Sequence, residues 1–131
     1  MHHRLTIVLL AMLNATLLAC GQNEEKSSGG FVSSSLENLA RDTLPGAKLT
    51  KRKCASCHYL DRNLTKVGPT LNGIFGRAPK ISGVPFKIWN ELALDQWIES
   101  PSRVKPGTRM AIPGIKSVEE RTAIIEYLKQ L

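Results

Sequence analysis

Apolar positions along the chain fall into one nearly continuous run and three periodic segments, separated by polar stretches. The run, Leu5 to Ala19, is interrupted only by Thr6, Asn14 and Thr16, and the basic head Met1-His2-His3-Arg4 precedes it. It is too short to span a bilayer comfortably, and its anatomy is that of an export signal covering residues 1–19. From Gly21 to about Ser35 the chain is polar and rich in Gly and Ser, a composition expected to form a flexible tether. Past it, Pro45 opens Pro-Gly-Ala-Lys-Leu-Thr-Lys-Arg-Lys-Cys, which predicts a helix ending at Cys54. Asn90 is a good N-cap for a second helix with Leu94, Trp97 and Ile98 on one face, stopping at Ser100-Pro101. The third helix starts at a capping box, Ser117-Val118-Glu119-Glu120, and carries the stripe Ile124, Tyr127, Leu128 and Leu131. No segment alternates like a strand. The pattern predicts one all-α domain over residues 36–131, with three main helices and long loops, and a core small enough to need a further apolar component.

Chemistry enters with Cys54-Ala55-Ser56-Cys57-His58. Two cysteines three apart with a histidine directly after them is the attachment pattern of a c-type haem. On one turn of helix the two thiols reach two vinyl groups along one side of a porphyrin, and the histidine brings an imidazole under the iron. Three other readings use the same residues. A thioredoxin-like dithiol requires a βαβ surround, and the flanks here read as helix and loop. Zinc requires four ligands, and past residue 20 only Cys54, Cys57 and His58 are at hand unless a carboxylate joins them. A disulfide between Cys54 and Cys57 closes a very small, strained ring. The third cysteine, Cys20, ends Leu17-Leu18-Ala19-Cys20, which resembles a bacterial lipobox; acylation there would hold the protein on a membrane through the tether, residues 20–35. The alternative is an ordinary signal cut near Ala19 that leaves Cys20 as a free thiol. Covalent haem attachment takes place outside the cytoplasm, so the export signal and the haem motif support each other.

Two loops are candidates for the rest of the site. Val67-Gly68-Pro69-Thr70-Leu71-Asn72-Gly73-Ile74-Phe75-Gly76-Arg77 has three glycines, which suggests backbone lying close against something flat. Pro69 has no N–H, so its surroundings offer carbonyls, one of which is a candidate acceptor for His58 Nδ1–H; a plain turn-rich connector has the same composition. Once His2 and His3 leave with the signal, His58 is the only histidine, which excludes two histidine ligands from one chain. Met110 is likewise the only methionine left after Met1 and Met12 go. A lone methionine is often core filler, but Pro106-Gly107 just before it and the lack of apolar periodicity around it favour an iron ligand.

Together these motifs resemble class I (mitochondrial and bacterial c2-like) cytochromes c, over about residues 44 to 131. The matching elements are Cys54-x-x-Cys57-His58, Val67-Gly68-Pro69 through Gly76-Arg77, Trp89, Pro106-Gly107-Thr108-x-Met110, and Glu120-Arg121 through Tyr127-Leu128-Lys129. The resemblance implies one covalent haem c, with helices and loops wrapped around it and His58 and Met110 on the iron. It implies that the Pro69 carbonyl bonds His58, that Arg77 and Trp89 lie near a haem propionate, that Trp97 packs beside the haem on the Met side, and that Thr108 supports the Met loop. It also implies that Gly46 lets the first helix cross the third closely at Tyr127. Thr50 stands where the family usually has an aromatic at that crossing, so the contact is expected to be weaker there.

The implied function is one-electron transfer, without enzymatic turnover. A haem peroxidase or a gas-binding sensor needs an open iron position, so Met110 discriminates these alternatives from a carrier. With Arg4 removed, seventeen basic residues face eleven acidic ones, a net charge of +6. Lys53, Lys66, Arg103, Lys105 and Arg109 fall around the haem-binding segments and are candidates for docking an acidic redox protein such as an oxidase, a reductase or a dehydrogenase. Nucleic acid would suit similar charge, but export argues against it. The expected location is the periplasmic face of a bacterial membrane.

Overall fold

The computed structural model describes residues 29–131, with side chains from residue 33 onward. The signal, Cys20 and the tether as far as Ser28 lie outside the described residues. The chain divides into two units, Met1–Val32 and Ser33–Leu131. Five helices and no strand occur among the described residues: α1 Gly29–Thr43, α2 Pro45–Cys54, α3 Glu91–Glu99, α4 Pro101–Val104 and α5 Val118–Leu128. The fold is all-α, as the apolar periodicity predicts.

The three main helices begin where their caps place them. Pro45 occupies the first turn of α2, where a missing N–H costs nothing. Asn90 Oδ1 accepts from Ala93 N at 2.9 Å to start α3, and Ser117 Oγ accepts from Glu120 N at 3.1 Å to start α5. Only half of the expected capping box forms. Ser117 Oγ donates to the Glu119 carboxylate at 2.8 Å, while the Glu120 carboxylate turns to Lys53 at 3.1 Å and joins α5 to α2. Ser100-Pro101 does end α3, but the same proline opens the short α4, since proline fits a first turn as well as it stops a preceding one.

Helix α1 departs from expectation: the tether was expected to reach Ser35, and the helix begins at Gly29. Its last turn is fastened to the domain by Asp42–Lys51 at 3.2 Å and by Leu44 packing on Ala47, Leu60 and Tyr127. A helix held at one end extends more easily than it nucleates, which is how weak helix formers come to be helical here.

The frame of the domain is the crossing of α2 over α5. A Cβ on Gly46 would lie 1.9 Å from the Ala123 carbonyl oxygen and 3.0 Å from Tyr127 Cβ, so only glycine permits this approach. One turn later Thr50 is fully buried in the same contact, with no hydrogen-bond partner for Oγ1. Ile124, Ile125 and Leu128 of α5 pack with Ala93, Leu94, Trp97 and Ile98 of α3, and Ile74, Trp89 and Ile115 complete the buried cluster. Arg121 fixes this layer: it is buried, bonds Asp95 at 2.6 and 3.3 Å, and donates to the Ile115 and Lys116 carbonyls at 3.0 and 2.9 Å. Lys129 adds an outer clasp from α5 to Glu91 of α3.

Candidate functional site

The end of α2 continues as a helical turn through the cysteine motif, with Cys57 N and His58 N both donating to the Cys54 carbonyl at 3.1 and 3.0 Å. The Cys57 carbonyl is then gripped by Val67 N and Gly68 N at 3.1 and 2.9 Å, which folds the 67–77 loop back over the motif. His58 Nδ1 lies 2.6 Å from the Pro69 carbonyl oxygen. A carbonyl only accepts, so the proton sits on Nδ1 and Nε2 is left with a free lone pair, the tautomer a metal ligand needs. A Cβ on Gly68 would fall 2.3 Å from His58 Cε1, so the backbone there lies against the imidazole ring. The other two loop glycines do something different: Gly73 and Gly76 take positive φ, 62° and 76°, and turn the chain.

Burial pushes the Cys54 thiol up from 9.0 to about 11, with neighbouring Lys53 opposing the rise. A thiol raised in this way is not the activated, low-pKa sulfur of a redox dithiol. Among the described residues no group of three or more His, Cys, Asp or Glu converges, so no carboxylate completes a zinc site at Cys54, Cys57 and His58.

Arg77 is drawn inward by the loop it closes. Its Nη1 and Nη2 donate to the Asn72 and Thr70 carbonyls at 3.1 and 2.7 Å, and Gly76 N and Trp89 N exchange backbone bonds with Trp89 and Arg77 carbonyls, both at 2.9 Å. Arg77 Nε is buried with no partner. A desolvated guanidinium N–H lacking an acceptor is costly, and a carboxylate would satisfy it.

The Met loop follows from α4. Thr108 N bonds the Lys105 carbonyl at 3.1 Å across Pro106-Gly107, and Thr108 Oγ1 accepts from Met110 N at 3.3 Å. Trp97 Nε1 donates to Met110 Sδ at 3.0 Å. The indole also packs against Trp89, ring centroids 5.6 Å apart and tilted by 59°. The chain therefore offers two thiols, an imidazole Nε2, a held thioether and an orphaned guanidinium donor beside two tryptophans. That donor set fits a covalently attached haem with its propionates.

A family model described as cytochrome c matches residues 44–131. The chain belongs to the cytochrome c family. Among similar curated proteins, cytochrome c from Sesamum indicum is 37% identical over 99 residues, covering 68% of this chain and 89% of its own. Cytochrome c 2.1 from Caenorhabditis elegans is 33% identical over 99 residues, covering 69% and 89%, and cytochrome c from Ginkgo biloba is 34% identical over 99 residues, covering 68% and 88%. Membership of the cytochrome c family implies covalently bound haem c with iron and haem-based electron transfer.

Around this cytochrome c site the five basic candidates differ in circumstance. Lys53 pairs with Glu120 at 3.1 Å, and Arg103 pairs with Glu99. Lys66 Nζ donates to the Ala55 carbonyl at 2.8 Å, beside the cysteine motif. Lys105 is half-buried, its Nζ packed against Gly83, and Arg109 is exposed next to Met110. Sequence reasoning did not anticipate the Gly68–His58 contact, the grip of Arg77 on the Thr70 and Asn72 carbonyls, or the Asp95–Arg121 bond. The first was signalled by a glycine preceding Pro69; the other two join residues whose proximity only the folded chain creates.

Proposed function

We propose that this protein is a one-electron carrier of the class I type, with Cys54 and Cys57 in thioether bonds to a single haem c and His58 and Met110 as axial ligands. The observation that carries the reading is the preparation of two iron donors: His58 with Nε2 free because Pro69 holds Nδ1–H, and Met110 with its sulfur fixed by Trp97. The bound haem iron supplies reversible exchange between ferrous and ferric states, and Met/His ligation favours the ferrous one. The protein's part is to keep the site from rearranging. Pro69 fixes the imidazole tautomer and raises its basicity. Trp97 engages one sulfur lone pair and leaves the other for the metal, while Thr108 stops the Met loop from swinging away. Arg77, with Trp89 beside it, offers its spare Nε–H to a propionate. Lys66, Lys105, Arg109, Lys53 and Arg103 present positive charge to an acidic redox protein: an oxidase, a reductase or a dehydrogenase.

In this reading Cys20 is acylated and the domain is held at the periplasmic face of a bacterial membrane. No helix among the described residues is long and apolar enough to cross a membrane; the attachment is assigned to lipid on the strength of Leu17-Leu18-Ala19-Cys20. The ligation is tested by the visible spectrum. The ferric protein should show the weak far-red Met–iron charge-transfer band, Met110→Ala should lose it, and the reduced wild type should bind carbon monoxide poorly. Ready carbon monoxide binding by the wild type would instead indicate a peroxidase-like enzyme or a gas sensor.

A further inference from the structure

Helix α1 lies before the part of the chain that matches the cytochrome c family. Its last turn is fastened to the domain, yet every residue from Ser33 to Ala40 is exposed. Leu36 and Leu39, three apart and so on one face, are 62% and 63% exposed. A fifteen-residue helix that starts Gly-Gly and continues through three serines is marginal in water, and its anchoring by Asp42 and Leu44 at the far end leaves the Leu36–Leu39 face itself uncovered. The charges on it are few and mixed, Glu37, Arg41 and Asp42, which does not suit an electrostatic partner.

We propose that the Leu36–Leu39 face of α1 lies in the lipid interface to which Cys20 holds the chain, so that the haem domain is oriented by the membrane as well as tethered to it. This rests on the lipid-anchor reading of Cys20. Because α1 begins at Gly29, only residues 21–28 separate the anchor from the helix. Eight residues can reach under about 30 Å even when fully extended. The helix itself is about 22 Å long. The lipid surface is thus the apolar phase permanently within reach, and at such a short tether length a weak apolar contact is made most of the time. With no basic cluster on the helix, the contact should be insensitive to salt.

The test uses the whole processed protein in vesicles of phosphatidylethanolamine and phosphatidylglycerol, nitroxide-labelled at Leu39→Cys or Glu37→Cys, with oxygen and a nickel chelate as apolar and aqueous relaxants. The Leu39 label should sit about 5–10 Å below the phosphate plane, and the Glu37 label should be in water. Adding Leu36→Gln should move the Leu39 label towards the aqueous phase. Equal aqueous exposure of both labels, in protein that carries acyl chains and pellets with vesicles, overturns the inference and leaves the anchor standing. Protection accompanied by dipolar coupling between labels on two molecules assigns the face to a second copy and also overturns it. If mass spectrometry finds Cys20 without acyl chains, the anchor reading has failed. A synthetic lipid coupled to that thiol then decides the role of the helix by the same depths.

Discussion

Thr50 and Trp97 show how single side chains bear on this site from opposite directions. Thr50 brings a hydroxyl into the α2–α5 contact and gives it no partner. Valine has the same shape without the oxygen, so Thr50→Val should stabilise the protein by about 1 kcal/mol, read as a higher denaturant midpoint at unchanged slope. Trp97 works on function. With Met110 on the iron, as proposed, the indole N–H would draw electron density from that sulfur and disfavour the ferric state. Trp97→Phe keeps the bulk and removes the donor. Potentiometric titration should show the midpoint falling by about 20–40 mV, the size of a neutral hydrogen bond felt by one oxidation state more than the other. A rise, or no change, would mean that the contact does not reach the iron.

The helices meet at positions that tolerate little change. Gly46→Ala would force a methyl group into the Ala123 carbonyl, and despite alanine's better helix propensity the net cost should be about 2 kcal/mol or more by chemical denaturation. The same crossing carries a pH signature. Burial, reinforced by nearby Asp42, raises the Tyr127 phenol above its ordinary 10.0. The folded state therefore prefers the neutral phenol, and the associated stability is complete below pH 10 and is lost as pH rises through the folded-state value. Tyr127→Phe should flatten that alkaline loss in melting temperatures measured from pH 8 to 11. Much of this architecture was legible beforehand. Pro45, Asn90 and Ser117 mark helix starts by local chemistry, and Leu94, Trp97, Ile98, Ile124 and Leu128 repeat at helical spacing. Helix α1 was not legible, because its Gly and Ser residues read as coil and its order comes from Asp42 and Leu44 at the far end. Within the site, Cys54, Cys57, His58 and Met110 stood out by motif and by scarcity. The roles of Gly68, Arg77 and Asp95 stayed hidden, since each depends on a neighbour distant in sequence or on a backbone approach that composition does not encode.

Across the whole molecule the excess positive charge should set how fast a partner arrives. Association with an acidic redox protein should slow severalfold as ionic strength rises from about 0.05 to 0.5 M, where the screening length shrinks from over 10 Å to a few. Charge reversal at Arg109 should slow it further, with the midpoint potential nearly unchanged; stopped-flow kinetics over a salt series decides the matter. Helix α2, which presents the two cysteines, is clamped by residues 123 and 127 at the other end of the chain. That clamp joins residues far apart in sequence, so it belongs to the folded domain and not to the unfolded chain. Before it closes, α5 places no packing on the segment that carries Cys54, Cys57 and His58. Haem attachment outside the cytoplasm should therefore precede closure, because a chain that folds first offers its cysteines from a helix already fixed in place.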